Sequence, residues 1–168
     1  MKGSFEYAFP KVISAEGGLS LDPNDSGNWT GGRQGVGELR GTKYGISAKA
    51  YPDEDIKNLT LDKARILYKD YWNAIHGDEL PDPLSHLVFD AAVNQGVSAA
   101  VHMLQTALKV DVDGKIGKNT IAAAVASDNH ACARFMTLRA MRYMSTINFE
   151  RYGTGWFNRL FLMAMGGR

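Results

Sequence analysis

Glu16, Asp22, Asp25 and Thr42, three carboxylates and a hydroxyl suited to joint chemistry, fall within one stretch, AEGGLSLDPNDSGNWTGGRQGVGELRGTKYGIS, spanning residues 15–47. Glu16 comes first, then Asp22 and Asp25 on the turn-forming run Asp22-Pro23-Asn24-Asp25-Ser26-Gly27. After a glycine-rich excursion the chain returns through Gly41-Thr42-Lys43-Tyr44-Gly45-Ile46-Ser47. A carboxylic acid that keeps its proton, a second carboxylate and a hydroxyl are the parts needed to protonate a glycosidic oxygen and steer water at an anomeric carbon. Seen alone, Glu16 reads more readily as a solvated residue at a frayed helix end.

The element that must position Glu16 is the segment before it. Phe5, Phe9, Val12 and Ile13 recur at three- and four-residue spacings, which predicts a helix with one apolar face that Gly17-Gly18 stops. Glu16 then sits at a helix C-terminus, where the partial negative charge of the macrodipole disfavours the ionised carboxylate. Such a placement suits a general acid that holds its proton until a leaving oxygen needs it. Within the excursion, Trp29 offers a ring that stacks on a sugar face, and Arg33 and Arg40 offer charge for a lactyl or stem-peptide carboxylate. The plainer reading is a flap whose Trp29 covers its own base.

The Glu-Gly-Gly opening, the Asp-Pro-x-Asp turn and the Thr-x-Tyr-Gly-Ile return resemble glycoside hydrolase family 108, N-acetylmuramidases of phage endolysins and bacterial secretion loci. The resemblance puts the essential glutamate at Glu16. Glu16 and Asp25 have eight residues between them, similar to the acid-to-aspartate spacing of phage-type lysozymes, whose threonine partner falls on Thr42. It points to Glu16, Asp25 and Thr42 as catalytic residues, with Asp22 the alternative second carboxylate; Asp22, Trp29 and Tyr44 are expected to bind substrate. Asp90 and Asn94, one helical turn apart, resemble the family's Asp-x-x-x-Asn and are expected either to line the cleft or to form a buried polar pair. Leu19 stands where the family usually has Tyr, and residues 26–41 lengthen the return to the threonine.

With 168 residues the chain suits one compact body, and a net charge of +1 gives no field that would favour nucleic acid. The single cysteine, Cys132, excludes an internal disulfide and reads as a small core residue. His76, His86, His102 and His130 are too scattered to make a zinc site, so no metal and no cofactor are expected. Lys2 followed by Phe5, Glu6 and Pro10 is not a secretory leader, and no apolar run reaches membrane-spanning length. The expectation is a monomer without a stable membrane anchor, made in a host cytoplasm and acting on peptidoglycan after release.

The remaining segments read as helices. Ser47 is expected to cap a short helix ended by Pro52, and Thr60 to cap one bearing Leu61, Ala64, Leu67, Tyr68, Tyr71, Trp72 and Ile75. Asp82-Pro83 reads as a cap followed by proline at the first helical position. Leu-Gln before Val-Asp-Gly-x-Ile-Gly (Leu104 to Gly117) is similar to the turn of peptidoglycan-binding modules, with Asn119 or Thr120 capping the next helix. A long helix from Asp128 is expected to break near Tyr152-Gly153-Thr154-Gly155. The tail from Trp156, with Arg159 and Arg168, reads as a closing core helix or a membrane-disturbing amphipathic one.

No segment alternates with a two-residue period over useful length, so the fold expected is mainly α, with room for a short β-hairpin within residues 19–46. The resemblance makes that fold lysozyme-like, with a catalytic region over 1–96 and a peptidoglycan-binding-like region over 97–168 packed with it as one body. It implies hydrolysis of the β-1,4 bond between N-acetylmuramic acid and N-acetylglucosamine, inversion being favoured. A lytic transglycosylase and a non-catalytic wall-binding protein are the alternatives.

Overall fold

The computed structural model describes residues 3–166, so Lys2 and Arg168 lie outside the described residues. The architecture is mainly α. The described residues form α1 (Phe5–Ser14), α2 (Leu61–Ala74), α3 (Leu84–Gln95), α4 (Val97–Leu108), α5 (Lys118–Val125), α6 (Asn129–Met144) and α7 (Phe149–Ala164). Between α1 and α2 lie a 3-10 turn at Ser26–Asn28 and an antiparallel pair, β1 (Thr42–Lys43) and β2 (Ile46–Ser47). Thr42 pairs with Ser47 and Lys43 with Ile46. The chain divides into two compact units, residues 12–68 and residues 1–11 with 69–168. The boundary expected at 96–97 falls within the second unit, at the joint between α3 and α4.

The smaller unit holds the end of α1, the long loop, the hairpin and the first half of α2. Val12, Ile46, Ala48, Ile56, Leu59, Ala64, Leu67 and Tyr68 are its buried hydrophobic residues. The stretch after Ser47 is a single turn rather than a helix: the Tyr51 N–H reaches the Ser47 carbonyl and the Ala50 N–H its hydroxyl, and Pro52 follows at once.

In the larger unit Phe5, Trp72 and Phe89 meet edge to face, with Phe5–Trp72 centroids 5.9 Å apart and Trp72–Phe89 centroids 5.4 Å apart. Helices α3, α4, α6 and α7 pack on one another in sequence. Pro83 precedes α3 rather than opening it, and the Asp82 carboxylate accepts from the Ser85 hydroxyl at 2.7 Å. Helix α5 is entered from Gly117, which leaves Thr120 buried inside the first turn instead of capping it. The break after α6 falls at residues 145–148, ahead of the glycines. Gly153 and Gly155 lie inside α7, where a side chain at Gly153 would stand 2.7 Å from the Phe149 ring. Leu160 and Met163 are buried and Trp156 stacks on Tyr143 at 5.1 Å, so α7 packs as part of this unit while Phe161, Leu162 and Met165 stay exposed.

Across α3, α6 and α7 runs a polar layer. The fully buried Asp90 takes Arg139 on one oxygen at 2.7 Å and Arg159 on the other at 2.7 Å. The Tyr143 hydroxyl donates to the side-chain carbonyl of Asn94, and Gln95 accepts from Arg139 at 3.2 Å. Asp90 and Asn94 are thus both taken up by side chains of α6 and α7. Both arginines share the one Asp90 carboxylate, and Nη1 of Arg139 is buried without a hydrogen-bond partner.

Candidate active site

Glu16 stands two residues beyond α1, and its N–H still reaches back to the Ile13 carbonyl at 3.1 Å. The helix therefore ends before Gly17-Gly18. Neither glycine has positive φ, and a side-chain carbon on either would meet nothing within 4 Å. The segment from Gly17 to Ser20 is stitched to the hairpin. The Tyr44 N–H donates to the Gly17 carbonyl at 3.2 Å, and Ser20 and Thr42 exchange both backbone bonds, at 2.8 and 3.0 Å.

The hairpin turn is Tyr44-Gly45. Both residues have positive φ, 52° and 73°, as the tight two-residue turn joining twisted strands requires. Tyr44 occupies a region that only glycine or a short polar residue enters without strain. The turn is held by Tyr68 of α2, fully buried, whose hydroxyl donates to the Tyr44 carbonyl at 2.7 Å. The Glu16 carboxylate packs against Gly45 on the same side as that hydroxyl. A Cβ at Gly45 would lie 2.6 Å from Oε2 of Glu16 and 2.7 Å from the Tyr68 oxygen. Glu16 is half-buried, wedged beside bare backbone.

Asp22 and Asp25 are both exposed, and each closes a turn. Oδ1 of Asp22 accepts from the Asn24 N–H at 2.9 Å, while Oδ1 of Asp25 caps the 3-10 turn by accepting from the Gly27 N–H at 2.8 Å. Thr42 is half-buried and donates its hydroxyl proton to Oδ1 of Asn28 at 2.7 Å. Asn28 is the hub of this loop. Fully buried, it donates to the Asp22 carbonyl at 2.9 Å and accepts on its own carbonyl from the N–H groups of Arg40 and Gly41, each at 3.0 Å.

Residues 26–41 consequently fold as a closed excursion. Trp29 bridges Leu39, the Thr30 N–H reaches the Glu38 carbonyl at 3.0 Å, and Asn28 ties the base. Trp29 is half-buried and its indole N–H donates to the Pro23 carbonyl at 2.9 Å, which lays the ring over the Asp22–Asp25 turn. Arg40 is engaged by Glu38 at 2.8 Å and by the Pro52 carbonyl at 2.7 Å, whereas Arg33 is exposed. The loop thus brings Ser20, Asp22, Asn28 and Thr42 together, and the hairpin brings Tyr44, Gly45 and Tyr68 to Glu16.

Three of these residues had no assigned chemistry in the sequence. Asn28 sits in a polar, glycine-rich run where no periodicity marks it as buried. Gly45 belonged to the motif without a role. Tyr68 read as part of the α2 core stripe, and its burial agrees with that. Among the described residues no group of three His, Cys, Asp or Glu side chains is placed to hold a metal ion, and no helix is long and apolar enough to cross a membrane.

The profile of glycosyl hydrolase 108 matches residues 9–96, and that of a predicted peptidoglycan domain matches residues 99–161. SagA of Brucella abortus, a solved structure, is 31% identical with a TM-score of 0.81 over 97% of this chain and 92% of that one. A likeness of that extent identifies the fold as the lysozyme-like helical one expected. No curated protein matches the sequence. With more than half of the chain matched by one family and a wall-binding region behind it, the protein belongs to the glycosyl hydrolase 108 family, enzymes directed at peptidoglycan.

Proposed function

We propose that the protein is an N-acetylmuramidase that hydrolyses the β-1,4 bond between N-acetylmuramic acid and N-acetylglucosamine, with Glu16 as general acid. The observation that carries this reading is the seat of Glu16: past the end of α1, half-buried, against a glycine Cα and beside the Tyr68 hydroxyl. A carboxyl group with little freedom and restricted hydration is suited to hand a proton to a leaving oxygen. The open backbone of Gly17 and Gly18 leaves room for a sugar ring next to it.

Asp25 serves as the second carboxylate. The Gly27 N–H fixes Oδ1, and Oδ2 is left to take a proton from water and to stabilise positive charge on the sugar. Asp22 is the runner-up, since its Oδ1 already serves two bonds from Asn24. Because Thr42 gives its proton to Asn28, its oxygen can only accept from a water. A water held through its own O–H keeps a lone pair for attack. Trp29, its N–H tied down, offers a ring face to a sugar, and Tyr44 borders the acid. Asp90 and Asn94 enter this reading as supports of the helical unit.

The decisive test is Glu16→Gln assayed on purified sacculi. Release of reducing sugar should fall by about three orders of magnitude or more while cosedimentation persists. Undiminished release by the amide variant would end the reading. Mass spectrometry of wild-type products separates the chemistries, because hydrolysis leaves a reducing muramic acid end and a transglycosylase leaves an anhydro end lighter by one water. The anomer first released reports the stereochemistry, an α product marking inversion. An endolysin's biology belongs to the same proposal: expressed inside a Gram-negative host, the enzyme should lyse cells only when a pore-forming protein is supplied.

A further inference from the structure

A pocket of about 630 Å³ opens at the loop between α4 and α5, within residues 105–120 of the larger unit. Its base is the buried Gln105, which spends its whole amide on shaping the loop. Nε2 donates its two hydrogens to the Asp113 carboxylate at 2.7 Å and the Lys115 carbonyl at 3.0 Å, with the Thr120 hydroxyl 3.3 Å away, while Oε1 accepts from the Gly114 N–H at 2.9 Å. A loop fixed in this way presents a wall formed before any ligand arrives.

Lys109, Lys115 and Lys118 border the opening, and no ion pair among the described residues occupies them. Asp113 takes Gln105 and the Lys115 N–H on one oxygen, at 2.7 and 2.9 Å, so its other oxygen stands at the rim together with the Asp111 carboxylate. No aromatic side chain lines the pocket, so it lacks the platform on which a sugar face stacks. Three ammonium groups beside two carboxylates match a short peptide that carries several carboxylates and one free amine.

We infer that this pocket binds the stem peptide of peptidoglycan, its lysines taking the peptide carboxylates and Asp111 the amine of the diamino acid. The inference rests on peptidoglycan being the target and is independent of Glu16 chemistry. It divides the labour: the loop unit reads glycan, and the α4–α5 pocket reads peptide.

Binding is measured with Glu16→Gln chains, so that digestion of the wall does not enter. Affinity for intact sacculi should be about tenfold or more above that for sacculi stripped of peptides by an amidase, a loss on the scale of one or two charge-assisted contacts. Soluble stem tetrapeptide should compete, and peptide-free glycan should not. Lys115→Glu with Lys118→Glu, checked for an unchanged melting temperature, should reproduce the loss. Equal affinity for stripped and intact sacculi would overturn the inference. Should the double variant misfold, amide shifts of the Glu16→Gln chain titrated with the tetrapeptide decide the matter: shifts clustered in residues 109–120 uphold it, and shifts elsewhere or none overturn it. Failure of the muramidase reading shows separately, in what the wild type releases.

Discussion

The Glu16 carboxylate rests against the bare Cα of Gly45, so closely that a methyl group there would stand 2.6 Å from Oε2. Gly45 is also required for the turn, with φ at 73°. Gly45→Ala therefore adds left-handed strain of roughly 1–2 kcal/mol and a collision that Glu16 can relieve only by leaving its seat. Wall digestion should drop by about a hundredfold, against a loss of a few degrees in melting temperature, because 1 Å of misplacement costs catalysis more than folding. Tyr68→Phe keeps the buried ring and removes the bond to the Tyr44 carbonyl, so a smaller loss of about tenfold is expected. Full activity in Gly45→Ala would show that the contact does not position the acid.

Asn28→Ala strips the loop of its hub. The half-buried Thr42 hydroxyl loses its acceptor and the Asp22 carbonyl its donor, and the fully buried Asn28 side chain leaves a hole between them. The expected cost is about 2–3 kcal/mol, read from the shift of the urea midpoint. Activity should fall further than stability explains, since Asp22 and Thr42 are both released. A variant with the wild-type midpoint would contradict the hub role.

How much of the fold and the site is legible in the sequence depends on the range of the interaction involved. The helices and their buried faces are legible because apolar residues three and four apart, such as Phe5, Phe9 and Val12, advertise themselves. A short hairpin is legible only as room for one within residues 19–46; the Tyr44-Gly45 turn that makes it is not, because a tyrosine at positive φ carries no local signal. Asn28 is not, because nothing local distinguishes a buried asparagine from a solvated one in a glycine-rich loop. The same holds for Arg139, whose burial depends on Asp90, distant in sequence. Gly153 and Gly155 mislead for a related reason: their local preference is to break a helix, and packing of the Phe149 ring against Gly153 outweighs it.

Asp90→Ala should be among the most damaging single changes in the larger unit. It leaves the fully buried Arg139 and the nearly buried Arg159 without their shared counter-charge, beside a guanidinium that already has one unpartnered Nη1. Removing one partner of a buried ion pair costs about 3–5 kcal/mol, and here two pairs depend on one carboxylate. Chemical denaturation measures the loss. A cost below about 1 kcal/mol would mean that the arginines find water, and the layer would not be holding α3, α6 and α7 together.

Gly17 and Gly18 make the opposite kind of prediction. Neither φ nor packing demands glycine at these positions, so Gly18→Leu should leave the melting temperature within about 1–2 °C of wild type. If the bare backbone is there to admit the sugar, KM on a soluble glycan should rise several-fold while kcat changes less. Unchanged kinetics would remove Gly18 from the substrate path.

His86 supplies a pH dependence that carries no catalytic group with it. The ring is buried in the larger unit, edge-on to Tyr7 with centroids 6.0 Å apart, and Nδ1 lies 3.6 Å from Asp82 without a hydrogen bond. Burial pushes its pKa below the ordinary histidine value of 6.5 and Lys11 adds to that, while Asp82 and Asp90 oppose it. The folded state therefore binds fewer protons than the unfolded chain in the window between the depressed pKa and 6.5. Stability is full above that window and falls as pH drops through it, by at most about 1.4 kcal/mol per pH unit, levelling once the folded protein takes up the proton. Urea unfolding at a series of pH values from about 8 to 5 reads this slope, and His86→Leu should flatten it at similar side-chain volume. A profile equally steep in that variant would assign the dependence to another group.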